Sequence, residues 1–133
     1  MITNIQPDKQ KASSLQKSAE KTLERLNYTE KEKFPTNTLT DYYDIIHKLL
    51  EAITLAEGIK IKGEGDHQEL IDYVIIKNSL GTKMQVFLQQ MRDYRNRASY
   101  EGFNVNSDYI TANNSFILEI INKLKDVLKE KGI

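Results

Sequence analysis

The chain has 133 residues, 39% hydrophobic and 29% charged, which suits one globular domain able to bury a core without disulfides or metals. Nineteen lysines and arginines balance nineteen aspartates and glutamates, so net charge speaks neither for nor against a nucleic-acid partner, and any RNA contact must rest on a local patch. The absence of cysteine excludes disulfides, thiol catalysis and cysteine-based zinc sites, and fits a reducing compartment.

The opening MITNIQPDKQKASS has no apolar signal-peptide core, and no apolar run along the chain is long enough to span a bilayer. The expectation is a single soluble cytoplasmic domain over residues 1–133 that makes no membrane contact. A first helix is predicted from about Asp8 to Leu26, because Ala12, Leu15, Ala19, Leu23 and Leu26 recur at three- and four-residue steps. Residues 27–37, with Phe34-Pro35, read as a connection. Thr38 followed by Asp41 reads as an N-terminal cap, and the second helix then runs to about Glu57 with Tyr42, Ile46, Leu49, Ile53 and Ala56 on one face. Tyr43, Ile45 and Leu50 widen that face.

Gly58 is a helix stop, and Gly63-Glu64-Gly65 marks a tight loop. Asp66 with Glu69 reads as a capping box that opens a short helix through HQELIDYVIIK. The β-branched content of Tyr73-Val74-Ile75-Ile76 permits a strand, but such a strand has no partner run nearby, so a short helix is the better assignment. A fourth helix is expected from about Leu80 to Tyr100. A fifth starts at Ser107 as cap and carries Ile110, Ile117, Ile120, Ile121, Leu124, Val127 and Leu128 on one face. Helices throughout, amphipathic and without repeats, predict an all-α fold: an antiparallel bundle of four long helices and a short one.

The fourth helix carries an anomaly. Met84, Phe87, Leu88, Met91, Tyr94 and Ala98 fall within one arc of roughly 120°, and Arg95 projects inside the same arc. A buried guanidinium needs a counter-charge, a subunit interface or a wet cleft. The plainer alternative is that Arg95 lies near the helix end and extends its head into water. Arg92 and Arg97 cluster with it, offset by Asp93 and Glu101. Such a cluster is a solvated face or a phosphate-binding spot, since guanidinium matches phosphate geometry with paired hydrogen bonds.

The run Arg95-Asn96, three residues, then Tyr100-Glu101, late in the penultimate long helix of a small helical domain, resembles the signature of HEPN domains. That signature is an arginine, a polar residue, and then a histidine after a gap of four to six residues from the arginine. The earlier stretch DYYDIIHKLLEAITLAEGIKIKGEGDHQELIDYVI also looks HEPN-like in its helix, glycine loop and following helix. The resemblance spans the helix order of nearly the whole chain.

It implies a four-/five-helix bundle of HEPN type, a homodimer whose shared groove holds the motif, and metal-independent chemistry on RNA with no cofactor. Many relatives of that family are toxins paired with a nucleotidyltransferase antitoxin, so a nucleotidyltransferase partner protein is implied too. By position, Arg95 takes the phosphate clamp, Asn96 its orienting neighbour and Tyr100 the proton-transfer place. Arg92 and Arg97, clustered beside Arg95, are the candidate substrate-binding cations. Tyr100 departs from the pattern. A tyrosine hydroxyl titrates near about 10 and a histidine near about 6.5, so the departure implies ribonuclease activity weakened or lost. The expectation is therefore a nucleotide- or RNA-binding interaction module of a toxin–antitoxin-like or nucleotidyltransferase-linked system. The alternatives are an active endoribonuclease toxin using Arg95 and Tyr100, and a dimeric scaffold whose Arg95 pairs across the interface.

Other candidates are weaker. His47, with Asp44 three before and Glu51 four after, makes at most an incomplete metal site, and no metal is expected. His67 beside Asp66 reads as a surface or capping residue. Gly63-Glu64-Gly65 lacks the lysine and the preceding strand of a phosphate loop. Tyr42, Tyr43, Tyr94 and Tyr109 read as core or interface residues, and the lysines that close the last helix suit its negative dipole end.

Overall fold

The computed structural model describes every residue from Met1 to Ile133. Its five helices are α1 (Lys9–Leu26), α2 (Pro35–Glu57), α3 (Asp66–Lys77), α4 (Thr82–Glu101) and α5 (Ser107–Glu130). The all-α helical bundle is therefore the architecture. No helix is long and apolar enough to cross a membrane.

The bundle is built around α2, which buries residues over a wide arc, from Thr38 and Leu39 through Tyr42, Tyr43, Ile45 and Ile46 to Ala56, and keeps Asp41, Asp44, Lys48 and Glu51 on a narrower polar stripe. A helix with so wide an apolar face belongs at the centre of a bundle. Here α1, α3, α4 and α5 each pack against it. The outer helices bury single stripes, as their spacing predicts. In α5 the stripe is Ile110, Ile117, Ile120, Ile121, Leu124, Val127 and Leu128. In α4 it is Met84, Leu88 and Met91, with Phe87 and Tyr94 packed at its edges.

Three boundaries differ from expectation, each for a local reason. Pro35 occupies the first turn of α2, so that helix begins before Thr38. Thr38 is fully buried inside it and donates its hydroxyl back to the Phe34 carbonyl at 2.8 Å rather than capping the start. Asn106, not Ser107, caps α5, its side chain accepting from the Asp108 amide at 2.8 Å. Asp66 is the first residue of α3, and its carboxylate accepts from the adjacent His67 amide at 2.8 Å.

The chain is also not helical throughout. Strand β1 (Ile2–Asn4) pairs antiparallel with β2 (Ile59–Ile61), in the register Ile2↔Ile61, Thr3↔Lys60, Asn4↔Ile59. Gly58 makes this possible. It ends α2 in the left-handed region at φ +79°, and a Cβ there would lie 2.8 Å from the Ile5 carbonyl oxygen. That close approach brings the Ile5 amide onto the Gly58 carbonyl at 2.8 Å, and Asp8 continues it onto Leu55 at 2.9 Å. Alternation along β2 sends Ile61 against the core and leaves Lys60 exposed.

Candidate functional site

Of the sequence-predicted residues, Arg92 and Arg95 both act on Tyr43, Asn96 meets Arg95, and Arg97 and Tyr100 stand apart. Arg95 is half-buried, and its guanidinium carbon stands 5.8 Å from the centroid of the Tyr43 ring on α2. It donates to Asn96 Oδ1 across a long 3.4 Å. Arg92, nearly one turn earlier, donates through Nε to Gln89 Oε1 at 2.9 Å. The positive charges of both arginines act on the Tyr43 hydroxyl, yet burial outweighs them and pushes its pKa up to about 12. Tyr43 is thus a neutral phenol at any physiological pH.

Arg97 turns the other way, its guanidinium 4.6 Å over the Phe103 ring. Tyr100 is 80% exposed. Because α4 stays helical through Glu101 and ends at the left-handed Gly102, Tyr100 lies about 140° around the axis from Arg95. The two do not converge within one chain. Neither Asp93 nor Glu101 forms an ion pair, and Arg92, Arg95 and Arg97 are likewise absent from the eight ion pairs of the structure. The arginines therefore present positive charge without an internal counter-charge.

What the structure adds is a histidine pair. His47 on α2 and His67 in the first turn of α3 bring their ring centroids to 4.1 Å. Tyr43 sits over both, at 6.1 Å from the first ring and 6.4 Å from the second. His47 Nδ1 lies 2.9 Å from Glu51 Oε1, one turn along. Asp44, the other carboxylate expected beside His47, pairs instead with Lys48 at 3.0 Å. His67 Nδ1 stands 3.4 Å from the Tyr43 hydroxyl, and the ring tautomer sets which of the two donates.

The electrostatics of the pair are unequal. Burial, then the charge of His47, lowers the His67 pKa below 6.5. Arg95 pushes it the same way, while Asp66 and Glu51 oppose. The hydrogen bond from His47 holds the Glu51 carboxyl below its ordinary range despite partial burial. The His67 ring thus favours the neutral state and can accept a proton, while the ionised Glu51 carboxylate accepts a hydrogen bond from the His47 ring.

Beside the rings, between α1, the end of α2, β2 and the start of α3, lies a cleft of about 270 Å³. Lys11, Lys60 and Lys62 line it together with His47, His67, Glu51 and Asp66. No group of three or more histidine, cysteine, aspartate or glutamate side chains is arranged there to hold a metal ion. Twenty positions apart on different helices, the two histidines carry no direct sequence sign of their pairing. The only signal in the sequence was the Tyr43, His47, Glu51 spacing, which places three polar-tipped residues along one face of α2.

Compared with protein-family models, with curated proteins and with solved structures, the chain matches none.

Proposed function

We propose that the chain is a HEPN-like module that binds RNA or a nucleotide, in which the Tyr100 position no longer supports full ribonuclease activity. The observation that carries this reading is the pair Arg92 and Arg95, half-buried cations beside Tyr43 and His67 with no carboxylate to neutralise them. A phosphate supplies what such guanidiniums lack, two oxygens in fork geometry. The Arg95-Asn96 pair late in α4 supports the family resemblance, and with it a homodimer linked to a nucleotidyltransferase in a toxin–antitoxin-like system.

The test is binding of a labelled RNA followed by fluorescence anisotropy across a salt series, with light scattering for mass. Affinity is expected to fall steeply with salt, and Arg95→Ala to weaken binding and shrink the salt slope by roughly one. Flat salt dependence would sink the reading. So would unchanged affinity in Arg95→Ala joined to a lower melting temperature or release of monomers, which is the behaviour of a scaffold.

A second reading, an active metal-independent endoribonuclease, is favoured by one observation. The fold brings His67 to the Tyr43 ring over which Arg95 lies, so a titratable imidazole stands near the arginine although Tyr100 does not. Cleavage assays in EDTA separate the two readings. Activity that survives Tyr100→Phe and disappears in His67→Gln and Arg95→Ala belongs to the enzyme. Silence in the wild type, with cleavage gained by Tyr100→His, belongs to the weakened module.

A further inference from the structure

Neither Arg92 nor Arg95 lines the cleft beside the histidine pair. We infer that this cleft binds a phosphate monoester, held by Lys11, Lys60 and Lys62 above the His47–His67 pair. The site stands whether or not the arginines bind RNA.

Charge comes first. Lys11, Lys60 and Lys62 form no ion pair with any carboxylate, although two carboxylates share the cleft with them. Both carboxylates are engaged elsewhere: Glu51 on His47 Nδ1, Asp66 on the His67 amide. The ammonium groups are left facing one another, and the charge of Lys62 is the main influence that lowers the Lys60 pKa. Lys60 lies on β2 and Lys62 one residue past its end, where the Lys62 amide still bonds the Met1 carbonyl at 3.0 Å, so the ribbon itself holds the two lysines close. An anion in the cleft relieves it.

Size and shape name the class of anion. At about 270 Å³ the cleft falls below the range of roughly 300–1,000 Å³ that encloses a drug-sized ligand, so it takes a small group rather than a whole nucleotide. A terminal phosphoryl group fits. It offers three acceptor oxygens and a charge of about −1.5 to −2, against one net charge and two free oxygens for a diester inside a strand. Three ammonium groups and a protonatable imidazole match the monoester in number and charge. His67, its pKa lowered by burial and by the charge of His47, is placed to accept a proton from its surroundings as the charge of an entering anion arrives.

The experiment follows the histidine ring carbon-bound protons of the full chain by NMR while inorganic phosphate replaces chloride at constant ionic strength. Both ring signals are expected to shift saturably, and the His67 titration midpoint to rise, since the anion opposes the burial and like-charge effects that lower it. The double variant Lys60→Met with Lys62→Met is expected to weaken the response about tenfold or more at an unchanged melting temperature, the two lysines being exposed. Ring signals that ignore phosphate, or respond alike in the lysine variant, overturn the site. A 5′-phosphorylated dinucleotide is expected to compete at a lower concentration than the same dinucleotide without its terminal phosphate. Equal competition overturns the monoester assignment.

Discussion

The last turns of α4 and the cleft beneath β2 both gather positive charge, but they do so differently. In α4 the cations come from one helix, and 100° per residue scatters them: Arg95 toward Tyr43, Arg97 onto Phe103, Tyr100 into solvent. In the cleft they come from two elements, Lys11 of α1 and Lys60 of β2 with the Lys62 that follows it, and α2 and α3 add a histidine each. Convergence from separate rigid elements fixes groups at short range in a way that neighbours along one helix cannot. The first region has a recognisable sequence pattern and a dispersed geometry, whereas the second has no pattern and a focused geometry.

Both regions lean on α2, so the largest expected effect removes the contrast. Ile46 is fully buried on α2 between Tyr43 and His47, and Ile46→Ala is expected to destabilise the chain by about 2–5 kcal/mol, measured by denaturant unfolding. RNA binding and the phosphate response are then lost together wherever the chain unfolds. A smaller change separates the regions. Gly58→Ala forces a side chain into a left-handed residue and against the Ile5 carbonyl, at a cost of about 1–3 kcal/mol. The expected outcome is a weakened response to phosphate with the arginine-dependent salt slope intact, and loss of the salt slope would show that the regions are not independent.

The histidine pair gives a pH signature that the arginines cannot. His67 has a lowered pKa in the folded chain, so the unfolded chain binds more protons there around and below pH 6.5. Its contribution to stability is complete above 6.5 and is lost as pH falls toward the folded value. The melting temperature is therefore expected to drop between about pH 7 and pH 5, and to drop less in His67→Gln. Glu51, also lowered, acts in a separate window below its ordinary 4.5, where its contribution is lost as acid protonates it. A steeper decline in His67→Gln would contradict the assignment. The smallest effect belongs to Tyr100→Phe. With the ring 80% exposed, stability is expected to stay within about 0.5 kcal/mol by thermal melt, and RNA affinity to be unchanged.

The helices were legible because each carries its own periodicity: the α5 stripe from Ile110 to Leu128 is buried as its spacing implies. The starts of helices were less so, since Pro35 at the first turn competes with Thr38 as a signal, and only packing shows that Thr38 lies inside. The strands escaped because three residues are too few to display alternation, and their partners lie at opposite ends of the α1–α2 pair. The position of Arg95 on the apolar arc of α4 could be read, since it depends on that helix alone. The meeting of His47 with His67 could not, because it depends on how α3 lies against α2 after the glycine loop.

The β1–β2 ribbon also has a kinetic consequence. Thr3 and Lys60 are partners across 57 positions, whereas each helix forms from near neighbours. Closing so long a loop is entropically unfavourable until α1 has docked on α2 and drawn the ends together. The ribbon is accordingly the last pairing to form and the first to open, and its amides are expected to exchange with solvent far sooner than those of α2. Each opening releases Lys60 from its partner strand. The charge of the cleft is thus assembled by the final closure of the chain and disassembled by its smallest excursion.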